Sequence, residues 1–231
     1  MPVALITGAS SGLGLALTST LSQEGWEVVV DARGASRLTH AVGDLPRVHP
    51  HPGDVTDARH RRELVSACTE LGGLDLLVNN AGGLGPSPLP SLGEFPLSSL
   101  EDLFRVNVIA PLGLIQLALP VLAERHGTIV NITSDAAGAV YPGWGGYGST
   151  KAALEQISAV LGAECTGSVR VYAFDPGDLR TPMHQAAFPD DDISDRPLPE
   201  TVAPAFRQLI AQRPPNGRYQ ASTGGRLGAT A

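Results

Sequence analysis

Tyr147 and Lys151 stand four residues apart in the stretch YGSTK. A phenol and an ammonium at positions i and i+4 lie side by side on one face of a helix. On an open surface such a pair contributes roughly 0.2–0.5 kcal/mol. In a cleft the balance differs. A free tyrosine has a pKa near about 10, so holding it ionised at neutral pH costs about 4 kcal/mol. A cation about 4 Å away, at an effective dielectric of about 20, supplies roughly the same amount. The pair is therefore of the right size to make an acid–base group. Tyr-x-x-x-Lys also recurs by chance, so its meaning depends on what else the chain carries.

A second chemical signal lies at the other end. In VALITGASSGLG, three glycines (Gly8, Gly12 and Gly14) follow an apolar run and open an amphipathic one. Backbone that must approach a pyrophosphate excludes side chains, and a helix N-terminus offers unpaired N–H groups to the anion. The alternative is an ordinary glycine-rich turn. The spacing is G-x3-G-x-G, not the G-x-G-x-x-G of other dinucleotide folds.

The elements that must position these residues alternate regularly. Short apolar runs begin at Val3, near Glu27, at Arg47, near Leu74, at Gly127, at Val169 and at Gly217. Stretches of helical period begin near Gly12, Ala35, Asp57, Leu100 and Tyr147. Strands apolar on both faces belong in a parallel sheet covered on both sides. The expected fold is α/β: a doubly wound parallel sheet of Rossmann type, a three-layer sandwich in a single domain. The domain is expected over residues 1–221. The tail 222–231, STGGRLGATA, has nothing to bury and is expected to fray.

Composition narrows the function. With 42% hydrophobic and 17% charged residues, 231 residues suit a folded domain with a sizeable core. The net charge of −7 argues against a nucleic-acid or acidic-membrane partner. Cys68 and Cys165 read as reduced, buried thiols of a cytoplasmic protein. MPVALITGAS lacks the features of a signal peptide, and no segment is expected to reach the ~18 apolar residues of a membrane span. No metal is expected: Asp190, Asp191 and Asp192 are consecutive and cannot easily converge on one ion.

Taken in order, the segments resemble the short-chain dehydrogenase/reductase family over nearly the whole chain. TGASSGLG resembles its cofactor loop, bringing in Gly8, Ser10, Ser11, Gly12, Leu13 and Gly14. Asp54 and Val55 resemble the pair that contacts adenine. NNAG resembles the motif ending the fourth strand, with Asn80, Ala81 and Gly82. PGDLRT resembles the segment that holds the nicotinamide, with Pro176, Gly177, Leu179 and Thr181. Asn107, Ser134, Tyr147 and Lys151 resemble the catalytic four, with Tyr147 thirteen positions after Ser134.

The resemblance implies an NAD(P)-dependent oxidoreductase acting on a small carbonyl or alcohol, commonly a homo-oligomer (a dimer or tetramer). Ser134 would bond the substrate oxygen, Tyr147 would exchange a proton with it, and Lys151 would hold the nicotinamide ribose and lower the phenol pKa. Asn107 would hold a water in a proton relay. The sequence offers a separate reason for that last role: Pro111 has no N–H for the Asn107 carbonyl. The alternative function, a sensor or scaffold that binds a dinucleotide without turnover, would have no chemical need for Ser134 or Tyr147.

Signals for the cofactor conflict. Asp31 ends the second strand, where an acid could hold the adenosine 2′-OH and favour NAD(H). The family's discriminating acid usually falls one residue later, where Ala32 stands, and one residue turns a strand side chain to the other face. Arg33 sits where many NADP-using members bind the 2′-phosphate. NADP(H) is favoured, with NAD(H) the alternative. Substrate contacts are expected from Ser134, Asp135, Trp144 and Met183. Asp135 and Asp178 would favour a cationic or hydroxyl-rich substrate, or else cap turns. Residues 183–195 are expected to form a short lid.

Overall fold

The short runs read from the sequence form strands β1 (Val3–Ile6), β2 (Glu27–Ala32), β3 (Val48–Pro52), β4 (Leu76–Asn79), β5 (Thr128–Ile132), β6 (Arg170–Asp175) and β7 (Gly217–Ala221). The computed structural model describes residues 1–165, 167–222 and 226–230. These seven strands are parallel, and an eighth, β8 (Leu227–Thr230), runs antiparallel to β7. The order is β3-β2-β1-β4-β5-β6-β7-β8. The chain winds outward from β1 to β3, then crosses back to place β4 on the other side of β1. Ligands of open α/β sheets bind at such a switch, beyond the carboxyl ends of the strands.

Helices cover both faces: α1 (Gly12–Gln23), α2 (Ala35–Val42), α3 (Ala58–Glu70), α4 (Leu97–Phe104), α5 (Ala110–Glu124), α6 (Gly145–Glu164), α7 (Pro182–Ala187) and α8 (Ala203–Gln212). Alternate strand residues enter opposite cores, as the period of two requires. Ala4, Ile6, Val28 and Val30 pack with Leu17, Leu38, Phe206 and Leu209 of α1, α2 and α8. Val3, Leu5 and Val29 pack with Leu64, Leu114 and Leu122 of α3 and α5. The buried Cys68 and Cys165, both free thiols, belong to this second core.

Three expectations are corrected. The tail does not fray throughout: Leu227–Thr230 pairs with β7, and Leu227 packs against the first core. That burial holds the return strand, while residues 223–225 and 231 lie outside the described residues. Leu97–Glu124 does reach the length and mean hydropathy, 2.0, of a membrane span. Its apolar content has a packing reason, since Ala110, Leu114, Ile115, Ala118 and Leu122 are buried against the sheet. Finally, the stretch after Leu100 is not one plain helix. Arg105–Ile109 is a single π-helical turn, with the Ala110 N–H on the Arg105 carbonyl. Proline at 111 removes a helix bond and crowds the carbonyl four residues back, and a wider turn relieves that crowding.

Candidate active site

Beyond β1 the backbone turns through Gly8 and Gly12, whose φ values of +71° and +57° suit glycine. A Cβ on Gly8 would stand 2.9 Å from the Ala81 Cα, and one on Gly14 only 2.5 Å from both the Asn80 amide nitrogen and the Gly8 carbonyl. The loop therefore packs directly on the NNAG segment. Thr7 locks the two together, its hydroxyl accepting from the Asn80 and Ala81 N–H groups at 3.0 Å each. Asn80 donates back to the Thr7 carbonyl at 2.8 Å. At Ser11, the N-cap of α1, the side chain makes no capping bond. The first N–H groups of that helix thus remain open to an anion.

This loop opens into a cleft of about 1250 Å³. Ser10, Ser11, Leu13, Asp54, Val55, Gly82 and Met183 line it, as do Pro176, Gly177, Leu179 and Thr181. Of the residues expected at the site, only Gly14 and Asn107 do not line it. They support its walls from behind. Asn107 is buried; its Oδ1 accepts from the Gly83 N–H at 2.8 Å, and its Nδ2 donates to the Gly83 carbonyl and to the Thr150 hydroxyl. Thr150 donates in turn to the Tyr147 carbonyl at 2.7 Å. The side chain thus ties the loop after β4 to the helix that carries Tyr147.

Tyr147 and Lys151 are both buried on α6, with the ammonium 5.4 Å from the ring centroid. Ser134, just beyond β5, lines the same cleft. The Lys151 Nζ donates to the Ile132 carbonyl at 2.8 Å. Burial brings Lys151 down to about 8, against the upward pull of Asp175 and Glu155. The expected lowering of the phenol by Lys151 is not what the chain provides. Burial pushes Tyr147 well above its ordinary value, and Asp175 and Asp135 push it further. Desolvation penalises the charged form of a buried phenol.

The acid at the end of β2 also behaves unexpectedly. Asp31 borders the cleft but is 2% exposed, and both its oxygens are engaged. Oδ1 accepts from the Gly8 N–H at 2.8 Å, and Oδ2 lies 3.3 Å from the His60 Nε2. It braces the glycine loop instead of facing a ribose. Arg33 and Arg37 project into the same end of the cleft, exposed, and among the described residues neither forms an ion pair.

At the opposite end, aromatic rings form a wall. Trp144 meets Tyr147 edge-on with centroids 5.8 Å apart, and Phe188 at 5.9 Å; His184 lies 5.1 Å from Phe188. Asp135 does not cap a turn. Its Oδ1 accepts from the Ser134 hydroxyl and its Oδ2 from Tyr141, each at 2.9 Å. The short lid contains α7, fastened by the Ser87 hydroxyl to the Ala186 carbonyl at 2.7 Å. Sequence reasoning missed Arg37, Tyr141, His184 and Phe188. Arg37 stood one helical turn from Arg33 and could have been found; the others depend on how the lid folds. Among the described residues no three His, Cys, Asp or Glu side chains group as a metal site.

A family model for short chain dehydrogenase matches residues 2–192. The chain belongs to the short-chain dehydrogenase/reductase family. A serine 3-dehydrogenase of Rhizobium radiobacter is 36% identical over 181 residues, 77% of this chain and 72% of that protein. An uncharacterised oxidoreductase of Staphylococcus aureus is 30% identical over 91% of each chain. A short-chain dehydrogenase structure from Shigella flexneri superposes with a TM-score of 0.87 at 26% identity, covering 100% of this chain and 94% of that one. An Escherichia coli structure complexed with NADPH gives 0.87 at 26% identity, with 96% and 97% covered. The short-chain dehydrogenase is thus an NAD(P)-dependent oxidoreductase. The glycine loop, packed on NNAG too closely for a Cβ at Gly8 or Gly14, and the uncapped N-terminus of α1 fit the pyrophosphate of a nicotinamide dinucleotide.

Proposed function

We propose that this short-chain dehydrogenase is a soluble, cytoplasmic NADP(H)-dependent reductase of a small carbonyl compound, with Tyr147 as its proton donor. The observation that carries the reading is the meeting of Ser134, Tyr147 and Lys151 in the same cleft as the glycine loop. A nicotinamide dinucleotide held in this cleft would supply the hydride chemistry, as donor in reduction and acceptor in oxidation.

The chain's own residues do the rest. The α1 N-terminus and Gly8, Gly12 and Gly14 hold the pyrophosphate. Arg33 and Arg37 take the 2′-phosphate, a group that suits guanidinium geometry. Two unpaired cations beside a fully engaged Asp31 favour NADP(H) over NAD(H). Lys151 holds the ribose, and Ser134 bonds the substrate oxygen as charge develops there. Tyr147 gives that oxygen its proton. Its raised pKa keeps the phenol protonated at neutral pH, which suits reduction better than oxidation. Asn107 positions α6 and offers its carbonyl to a relay water, since Pro111 cannot bond it. The exposed Ile109, Leu117 and Val160 support self-association through the helices that carry them.

Nicotinamide fluorescence with NADPH and NADH tests the cofactor assignment. Arg33→Ala removes a charge-assisted bond, so NADPH affinity is expected to fall about 10- to 100-fold while NADH affinity stays within about threefold. Equal losses for both cofactors would sink the phosphate assignment.

A further inference from the structure

The Ser134 hydroxyl has one proton, and in this structure it goes to Asp135 Oδ1 at 2.9 Å. A serine in that state cannot at the same time donate to a substrate carbonyl oxygen. To act, it must turn away from Asp135, whose exposed carboxylate then takes another donor, water or a substrate group. The other Asp135 oxygen already accepts from Tyr141 at 2.9 Å, so the carboxylate is held in place and presents acceptors only.

The surroundings set the charge of whatever takes that place. Asp178 lines the same end of the cleft, and its only ionic neighbour among the described residues is His184, with Nδ1 4.0 Å from its Oδ1. No Lys or Arg pairs with Asp135 or Asp178 among the described residues. A third observation is independent of the acids. His184 lines the cleft, its side chain is only 10% exposed, and its Nε2 is buried without a hydrogen-bond partner. A buried polar atom is normally satisfied, so this nitrogen calls for a partner that the described residues do not supply. Two carboxylates with no Lys or Arg partner ask for a positively charged donor. The 2.9 Å bond places Asp135 directly beside the Ser134 hydroxyl.

Building on the reductase reading, we propose that the substrate is an amino ketone, or the matching amino alcohol, with a protonated amine on the carbon next to the reacting one. The ammonium binds Asp135 in place of the Ser134 hydroxyl and so releases the serine proton to the carbonyl oxygen. Asp135 is then a specificity residue that acts partly through Ser134. A neutral ketone of the same size leaves Ser134 on Asp135 and reacts more slowly, and an anionic one is repelled.

The test is steady-state reduction by the full chain with saturating NADPH, comparing aminoacetone, hydroxyacetone and pyruvate, in the native protein and in Asp135→Asn. The native protein is expected to favour aminoacetone over hydroxyacetone by about tenfold or more in kcat/KM, with part of the gain in kcat, and to react least with pyruvate. In Asp135→Asn the advantage is expected to fall below about threefold. A structural role for Asp135 would slow both ketones alike and leave their ratio intact. Equal rates for the two ketones, or an advantage that survives Asp135→Asn, would overturn the inference while NADPH oxidation still upheld the reductase reading. No NADPH oxidation with any of the three ketones would overturn both.

Discussion

Asp31 separates two accounts of the cofactor end, and Asp31→Ala tests them. The carboxylate is buried and holds the Gly8 N–H at 2.8 Å and the His60 ring at 3.3 Å. Truncation leaves two buried polar groups without partners, at about 1–3 kcal/mol each. The sum spans about 2–6 kcal/mol, and breaking a buried charge pair usually costs about 3–5 kcal/mol. For a chain of this length that is a fall in Tm of roughly 6–20 °C. Asp31→Asn keeps an acceptor for Gly8 and should lose about half as much.

The assay is thermal or urea unfolding together with fluorescence titration of both cofactors. A loosened glycine loop weakens NADPH and NADH alike, so their ratio should stay within about threefold. Had Asp31 faced the ribose, the variant would lose NADH affinity selectively and change stability by less than about 0.5 kcal/mol. That result would refute the bracing role.

Two further predictions concern pH. Because Tyr147 stays protonated and Lys151 titrates at about 8, NADPH-dependent reduction should be level from about pH 6 to 7.5 and fall as the ammonium is lost above that range, read from kcat/KM against pH. A falling limb on the acid side, near about pH 6, would contradict the assignment. His60 is raised above its ordinary value by its bond to Asp31, with burial opposing. Its stabilising contribution is then complete below the unfolded pKa of about 6.5 and lost as pH rises through the folded value. Urea midpoints of the native protein should decline over that window, and His60→Gln should remove the decline.

Much of the fold was legible because β1, β2, β4, β5 and β6 carry apolar residues on both faces, a pattern local to a few positions. The glycine loop was legible for a similar reason: strand, turn and helix follow one another within twelve residues. The bracing of Asp31 was not, because its partner His60 lies 29 residues away and only the β2 register turns the carboxylate inward. The helix α8 carries Ala205, Phe206 and Leu209 at helical spacing, a signal present in the sequence but not used. The return strand β8 offered one leucine, too little to distinguish from a loose end. The chain Asn79–Asn131–Ser158, with bonds of 2.8 Å each, ties β4 and β5 to α6 and could be read only once the strands were side by side. At Pro111 the lost bond was legible, but the π-turn that answers it was not. The sign of the Tyr147 shift failed for a related reason. Spacing on a helix brings an ammonium near, but burial is a property of the whole fold.

The central claim is that Tyr147 transfers the proton, and Tyr147→Phe tests it most directly. The phenol hydroxyl is removed while the ring stays against Trp144. NADPH should bind the variant with a Kd within about threefold of the native value, while kcat for ketone reduction falls by about 10²–10⁴. Turnover retained within about tenfold, with binding intact, would contradict the account and leave the fold serving another chemistry.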